Sequence, residues 1–121
     1  MMLLAAALAF TTCTAPIAAK DGDDLLCGDL DLRIEGVNAR ELAGHCRGRA
    51  PCPAMSGEEA RQVLYRLTRG GFRYRISYRD RYDRPVVQVR LADGRDLACA
   101  LIAEGAALRW DRYWPEGKRC E

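Results

Sequence analysis

Six cysteines in a chain of 121 residues limit the fold more than any other feature. A chain this short builds a modest core, and cystines compensate by restricting the unfolded ensemble. An apolar, uncharged N-terminal stretch strengthens the point. Residues 1–9 end in Ala7-Leu8-Ala9, a small-x-small cleavage pattern, and predict a signal peptide, although the usual basic start is missing. An exported chain, secreted or periplasmic, meets conditions in which cysteines pair. Six cysteines allow fifteen pairings. Geometry suggests Cys46–Cys52, closing a short Arg/Gly/Pro loop, and Cys13–Cys27, flanking one turn on two strands that pair. That leaves Cys99–Cys120 to pin the tail. Zinc is the alternative, but there is no tandem Cys-x-x-Cys and only one histidine, His45, in a basic loop. Phe10-Thr11-Thr12 ahead of Cys13 make no lipobox, so no lipid anchor is expected. No other apolar run is long enough to span a membrane. The rest of the chain, residues 10–121, fits one domain, expected to be monomeric.

Residue alternation then orders the elements. Residues 10–20 read as a strand, with Pro16 at an edge or bulge. Asp21-Gly22-Asp23 is a turn, and residues 25–27 return antiparallel. Leu30, Leu32 and Ile34 alternate with Asp31, Arg33 and Glu35, a half-buried strand that turns Arg33 away from the apolar face. Residues 36–54 read as a loop carrying His45, Arg47 and Arg49. Ser56 and Glu59 form a capping box, and Gly70-Gly71 ends the helix that follows. Phe72, Tyr74, Ile76 and Tyr78 form the clearest strand, and residues 80–84 loop into a strand with Val87, Val89 and Leu91. Asp96 caps a short second helix. Trp110, Tyr113 and Trp114 are expected to cover the barrel rather than line a site. Three strands, a helix, two strands and a helix predict an α+β domain, a five-stranded Greek-key barrel of the OB type.

The formal charge of +2 neither demands nor excludes nucleic acid. Arg73, Arg75, Arg79, Arg81, Arg84 and Arg90 crowd one stretch, which by itself suits a solvated strand face. The acidic turn is likewise an ordinary turn when taken alone. Together, Asp21, Asp23, Arg33, Glu41 and Arg84 are the parts that metal-assisted phosphodiester chemistry needs. Carboxylates hold a hard cation, a further carboxylate takes a proton from water, and guanidiniums grip phosphate.

Four segments carry a resemblance. Lys20-Asp21-Gly22-Asp23, the run from Leu32-Arg33-Ile34-Glu35 to Ala39-Arg40-Glu41, Asp80-Arg81-Tyr82-Asp83-Arg84, and Ala92-Asp93-Gly94 before a short helix resemble staphylococcal nuclease. The small, exported, cysteine-rich bacterial members of that family are the nearer match, over nearly the whole mature chain in the same order. The resemblance implies a calcium-dependent nuclease acting on DNA and RNA by in-line attack of water, with 3′-phosphate products. It implies Asp23 as a side-chain calcium ligand, Asp21 close by through water, Asn38 in the place of the second acidic ligand, and the backbone carbonyl of Ala39. It assigns water activation to Glu41, scissile-phosphate binding to Arg33 and Arg84, and the nucleotide site to Tyr82, with Arg81 beside it.

The chain departs from the family pattern near the chemistry. Asn38 replaces a carboxylate, Arg40 a proline that would help aim Glu41, and Asp83 a glycine. Asp24 stands in place of a threonine and would restore the lost charge, but strand alternation predicts that it points away from Asp23. These departures keep open an OB-fold nucleic-acid-binding module with impaired catalysis. A disulfide-stapled protein-interaction domain is a third reading.

Overall fold

Residues 9–48 and 51–121 are described by the computed structural model. The expected signal segment therefore lies, Ala9 apart, outside the described residues, and so do Arg49 and Ala50 of the expected loop. The described chain is mixed α+β. Its strands are β1 (Thr11–Thr12), β2 (Ile17–Ala19), β3 (Asp24–Cys27), β4 (Leu30–Ile34) and β5 (Val37–Asn38). Helix α1 (Gly57–Thr68) precedes β6 (Phe72–Arg79) and β7 (Pro85–Leu91), and α2 (Leu97–Ala103) precedes β8 (Leu108–Arg109) and a 3₁₀ turn, Asp111–Tyr113.

Six strands form one sheet in the order β1-β6-β7-β4-β3-β2, with β5 and β8 as a separate antiparallel pair. The sheet has to curl. Its opposite edges, β1 and β2, are separated in sequence only by residues 13–16. A flat six-strand sheet would hold its edges about 24 Å apart, and five residue steps reach about 18 Å at most. The result is a curled half-barrel around a core that includes Leu25, Leu32, Ile34, Leu64, Val87 and Leu101, all wholly or almost wholly buried.

The expected strand over residues 10–20 is thus two strands. The chain from Cys13 to Pro16 leaves one edge of the sheet and joins the other, with Cys13 N–H donating to Phe72 O and Gly28 N–H to Pro16 O. The loop expected over residues 36–54 contains β5, whose Val37 and Asn38 pair with Arg109 and Leu108. The cystines join Cys13 to Cys27, Cys46 to Cys52 and Cys99 to Cys120, the pairing that geometry suggested.

Local signals hold elsewhere. Ser56 caps α1 by accepting from Glu59 N–H, and Asp96 caps α2 by accepting from Cys99 N–H. On α1, Ala60 and Leu64 are fully buried, with Val63 and Leu67 packed at the core margin. Two glycines let α1 approach the rest of the chain. A Cβ at Gly22 would lie 2.6 Å from Ala39 Cβ and 2.7 Å from Ala60 Cβ, and one at Gly57 would collide with the Glu41 carbonyl. The helix is therefore packed directly against the acidic turn and the backbone that carries Glu41.

Candidate functional site

Strand register gathers the charged residues at one end of the sheet. Asp24 opens β3 opposite Arg33 on β4, and the parallel β4–β7 ladder sets Arg33 beside Val86. The turn before β3, Arg33 and the loop before β7 consequently meet. Lys20 N–H donates to Asp24 O to close the turn, and Asp23 N–H donates to Asp21 Oδ1.

Asp23 is wholly buried. Its Oδ2 accepts from Ala39 N–H at 2.9 Å and lies 3.3 Å from Arg33 Nη1. Arg33 is buried too, and donates to the carbonyls of Asp23 and Val37 at 3.1 and 2.9 Å. Those bonds fix its guanidinium under the acidic turn.

Asp24 corrects the expectation from alternation. Carboxylate oxygens of Asp21, Asp23 and Asp24 lie within 4.8 Å of one another. Asp23 belongs to the turn and β3 begins only at Asp24, so the two-residue period does not govern the pair. Burial, then the charge of Asp21, pushes the Asp24 carboxyl up to about 6 against the pull of Arg33, Arg84 and Arg47. Burial, then the charge of Asp23, likewise raises that of Asp21. Arg84 Nη1 reaches both Asp24 oxygens at 3.3 and 3.2 Å, and its Nε donates to Asp80 Oδ2 at 3.0 Å.

The central residue, Arg47, is one that the sequence places only in a loop. Arg47, beside Cys46 in the small cystine loop, points its guanidinium into the acidic cluster. Its Nη2 donates to Asp24 Oδ2 at 3.1 Å and stands 3.8 Å from Asp23 Oδ1 and 3.9 Å from Asp21 Oδ2. Its Nε donates to Glu41 Oε1 at 3.2 Å. Burial would lower the pKa of this guanidinium, but Asp23, Asp24 and Glu41 outweigh it and raise the pKa. The only signal in the sequence was a basic residue in a short tethered loop, which carries no direction.

The remaining assigned residues divide. Glu41 joins the cluster through Arg47, while its backbone N–H donates to the carbonyl of the exposed His45. Arg40 donates to the carbonyls of Pro53 and Gly44, so its guanidinium ties down the segment before Glu41. Asn38 is fully buried, and its Nδ2 donates to Pro51 O at 3.4 Å. Ala39 takes part through its N–H. Asp83 has φ 61°, the left-handed conformation that glycine adopts most readily. Tyr82 is 72% exposed, with the Arg81 guanidinium 5.0 Å above its ring and hydrogen-bonded to its hydroxyl.

A groove of about 620 Å³ opens beside this cluster, lined by Arg33, Arg47, Arg84, Tyr78, Trp110 and Tyr113 among others. The aromatic tail therefore splits. Trp114 packs against the core margin, its indole N–H donating to Lys118 O, whereas Trp110 and Tyr113 stack edge-to-face at the groove instead of only covering the sheet.

Buried side-chain oxygens of Asp23 (Oδ1), Asn38 (Oδ1) and Glu41 (Oε2) have no hydrogen-bond donor. Such atoms are costly unless something else satisfies them. The donors around the acidic turn are all oxygens, the chemistry of a hard cation. Asp21, Asp23 and Asp24 therefore offer the oxygen set that a calcium-type ion takes, and the buried Asn38 precedes Ala39, whose N–H bonds Asp23. No protein-family model matches the chain, and no curated protein matches it in sequence.

Proposed function

We propose that the chain is an exported, calcium-dependent nuclease of the staphylococcal type, hydrolysing DNA or RNA phosphodiesters. One observation carries the reading: ion pairs link Arg33 to Asp23, Arg84 to Asp24, and Glu41 through Arg47 to the same acidic turn, while Arg33, Arg47 and Arg84 line the groove beside it. If β1 and β2 count as one strand broken at residues 13–16, then with β3, β4, β6 and β7 the curled sheet has the strand number of the OB-type barrel we infer. Three cystines suit secretion or the periplasm. No helix among the described residues is long and apolar enough to cross a membrane.

In this reading Asp21, Asp23 and Asp24 hold the cation, with Asn38 and the Ala39 carbonyl completing the set. Bound there, calcium would supply charge to polarise a phosphoryl oxygen. Glu41 takes a proton from the attacking water as the water oxygen bonds to phosphorus, and the P–O bond to the 5′ oxygen breaks, its electron pair leaving with that oxygen, which takes a proton from solvent. Arg33 and Arg84 stabilise the charge that develops on the phosphoryl oxygens through paired, charge-assisted hydrogen bonds. Arg84 must exchange Asp24 for the phosphate to do this. Trp110, Tyr113 and Tyr82 offer ring faces on which bases stack.

A fluorogenic single-stranded DNA assay with calcium, then with chelator, tests the proposal against Glu41→Gln. Chelator-sensitive cleavage absent from the variant is expected, and equal signals from both proteins would sink it. The second reading is a nucleic-acid-binding module without efficient turnover. It is favoured by the way Asp24 and Asp80 already occupy Arg84. That module would bind single strands more weakly as salt rises, with no cleavage at any calcium concentration.

A further inference from the structure

We propose that Arg47 is a further residue of the site: it is the resident cation of the acidic cluster, and it competes with a divalent cation for the same carboxylates. The proposal rests on the calcium reading above. Arg47 Nη2 lies 3.1, 3.8 and 3.9 Å from oxygens of Asp24, Asp23 and Asp21, and Nε holds Glu41 at 3.2 Å. It touches every carboxylate assigned to cation binding or to water activation.

Two features separate this contact from an ordinary structural ion pair. The wholly buried Asp23 Oδ1 faces Nη2 at a distance too long for a hydrogen bond and has no other donor, and the second Glu41 oxygen has none either. The guanidinium offsets part of the cluster's charge without satisfying its oxygens. A calcium ion bonds oxygens at about 2.3–2.6 Å, so it would sit within about 6.5 Å of Nη2, where two positive charges repel with little screening.

The loop gives Arg47 a tether and somewhere to go. Cys46–Cys52 closes it, and Arg40 and Asn38 bind the carbonyls of Pro53 and Pro51, so the loop stays beside the site. Arg47 also lines the groove with Arg33 and Arg84. Displaced by the cation, it remains within the phosphate-binding wall, as a third guanidinium. A cation that must first displace Arg47 binds with an affinity reduced by the fraction of molecules already open.

Calorimetric titration of the folded protein with calcium alone tests the claim in the wild type, in Arg47→Gln, and in Cys46→Ser/Cys52→Ser, which loosens the tether and keeps the charge. Arg47→Gln is expected to tighten calcium binding on the order of tenfold, with a smaller gain for the double serine variant. Equal or weaker binding by a folded Arg47→Gln, with the wild type binding, overturns the competition and leaves the calcium site standing. If Arg47→Gln does not fold, equal or weaker binding by the serine variant overturns the competition in the same way. No calcium binding by any of the three removes the calcium reading and this proposal with it.

Discussion

The two ends of the sheet use charge differently. At the α2 end, Asp96 spends one oxygen on capping Cys99 N–H and the other on Lys118 Nζ at 2.9 Å. Lys118 lies over the Trp114 ring, and Cys99–Cys120 holds the tail across them. Each group has its partner. At the acidic turn, Asp21, Asp23, Asp24, Glu41 and Asp80 face Arg33, Arg47 and Arg84, and buried oxygens of Asp23 and Glu41 have no donor. A satisfied pair ties down structure, whereas an excess of unsatisfied negative charge costs stability and calls for a ligand. That contrast is what separates the candidate site from the rest of the charged surface.

Arg33→Ala should break the contrast most severely. It leaves the wholly buried Asp23 without its buried partner, and a loss of about 3–5 kcal/mol is expected in urea unfolding. The Cys99→Ser/Cys120→Ser pair attacks the other end. It should cost about 2–4 kcal/mol of stability and leave calcium affinity, measured by calorimetry, unchanged. A coupled loss of calcium binding would mean that the two ends are not separable. Asn38→Asp sharpens the comparison by adding negative charge at the site. It should destabilise the calcium-free protein, because Asn38 Nδ2 donates to Pro51 O. It should also tighten calcium binding by about 2 kcal/mol, the water-screened value for one added charge about 4 Å from a divalent ion.

Local chemistry made much of this fold legible. The helix N-caps, the turn glycines and the alternation of β6 and β7 act over a few residues, and each element stands where its pattern put it. Asp83 likewise shows the positive φ that a glycine position demands. Short non-local pairings were not legible. Val37 and Asn38 are a strand only because Leu108 and Arg109 arrive from 70 residues along, and two residues carry no period. Alternation fails at Asp24 because a side chain's direction at the first position of a strand depends on the turn before it. Arg47 is not legible for a related reason. Its direction is set by the Cys46–Cys52 loop and by the field of four carboxylates, and neither exists until the chain has folded. The aromatic tail divided because Trp114 packs beside Gly36, where only a glycine leaves room, while Trp110 and Tyr113 fall at the groove mouth.

Calcium-supported cleavage of single-stranded DNA by Arg84→Ala and Arg95→Ala, side by side, tests the central claim most directly. Arg84 lines the groove, and Arg95 pairs with Asp93 in an exposed turn away from it. Loss of Arg84 is expected to slow cleavage about 10²–10³-fold, with the Arg95 variant at the wild-type rate. Equal rates in the two variants would contradict the assignment of the acidic end as a phosphodiesterase site.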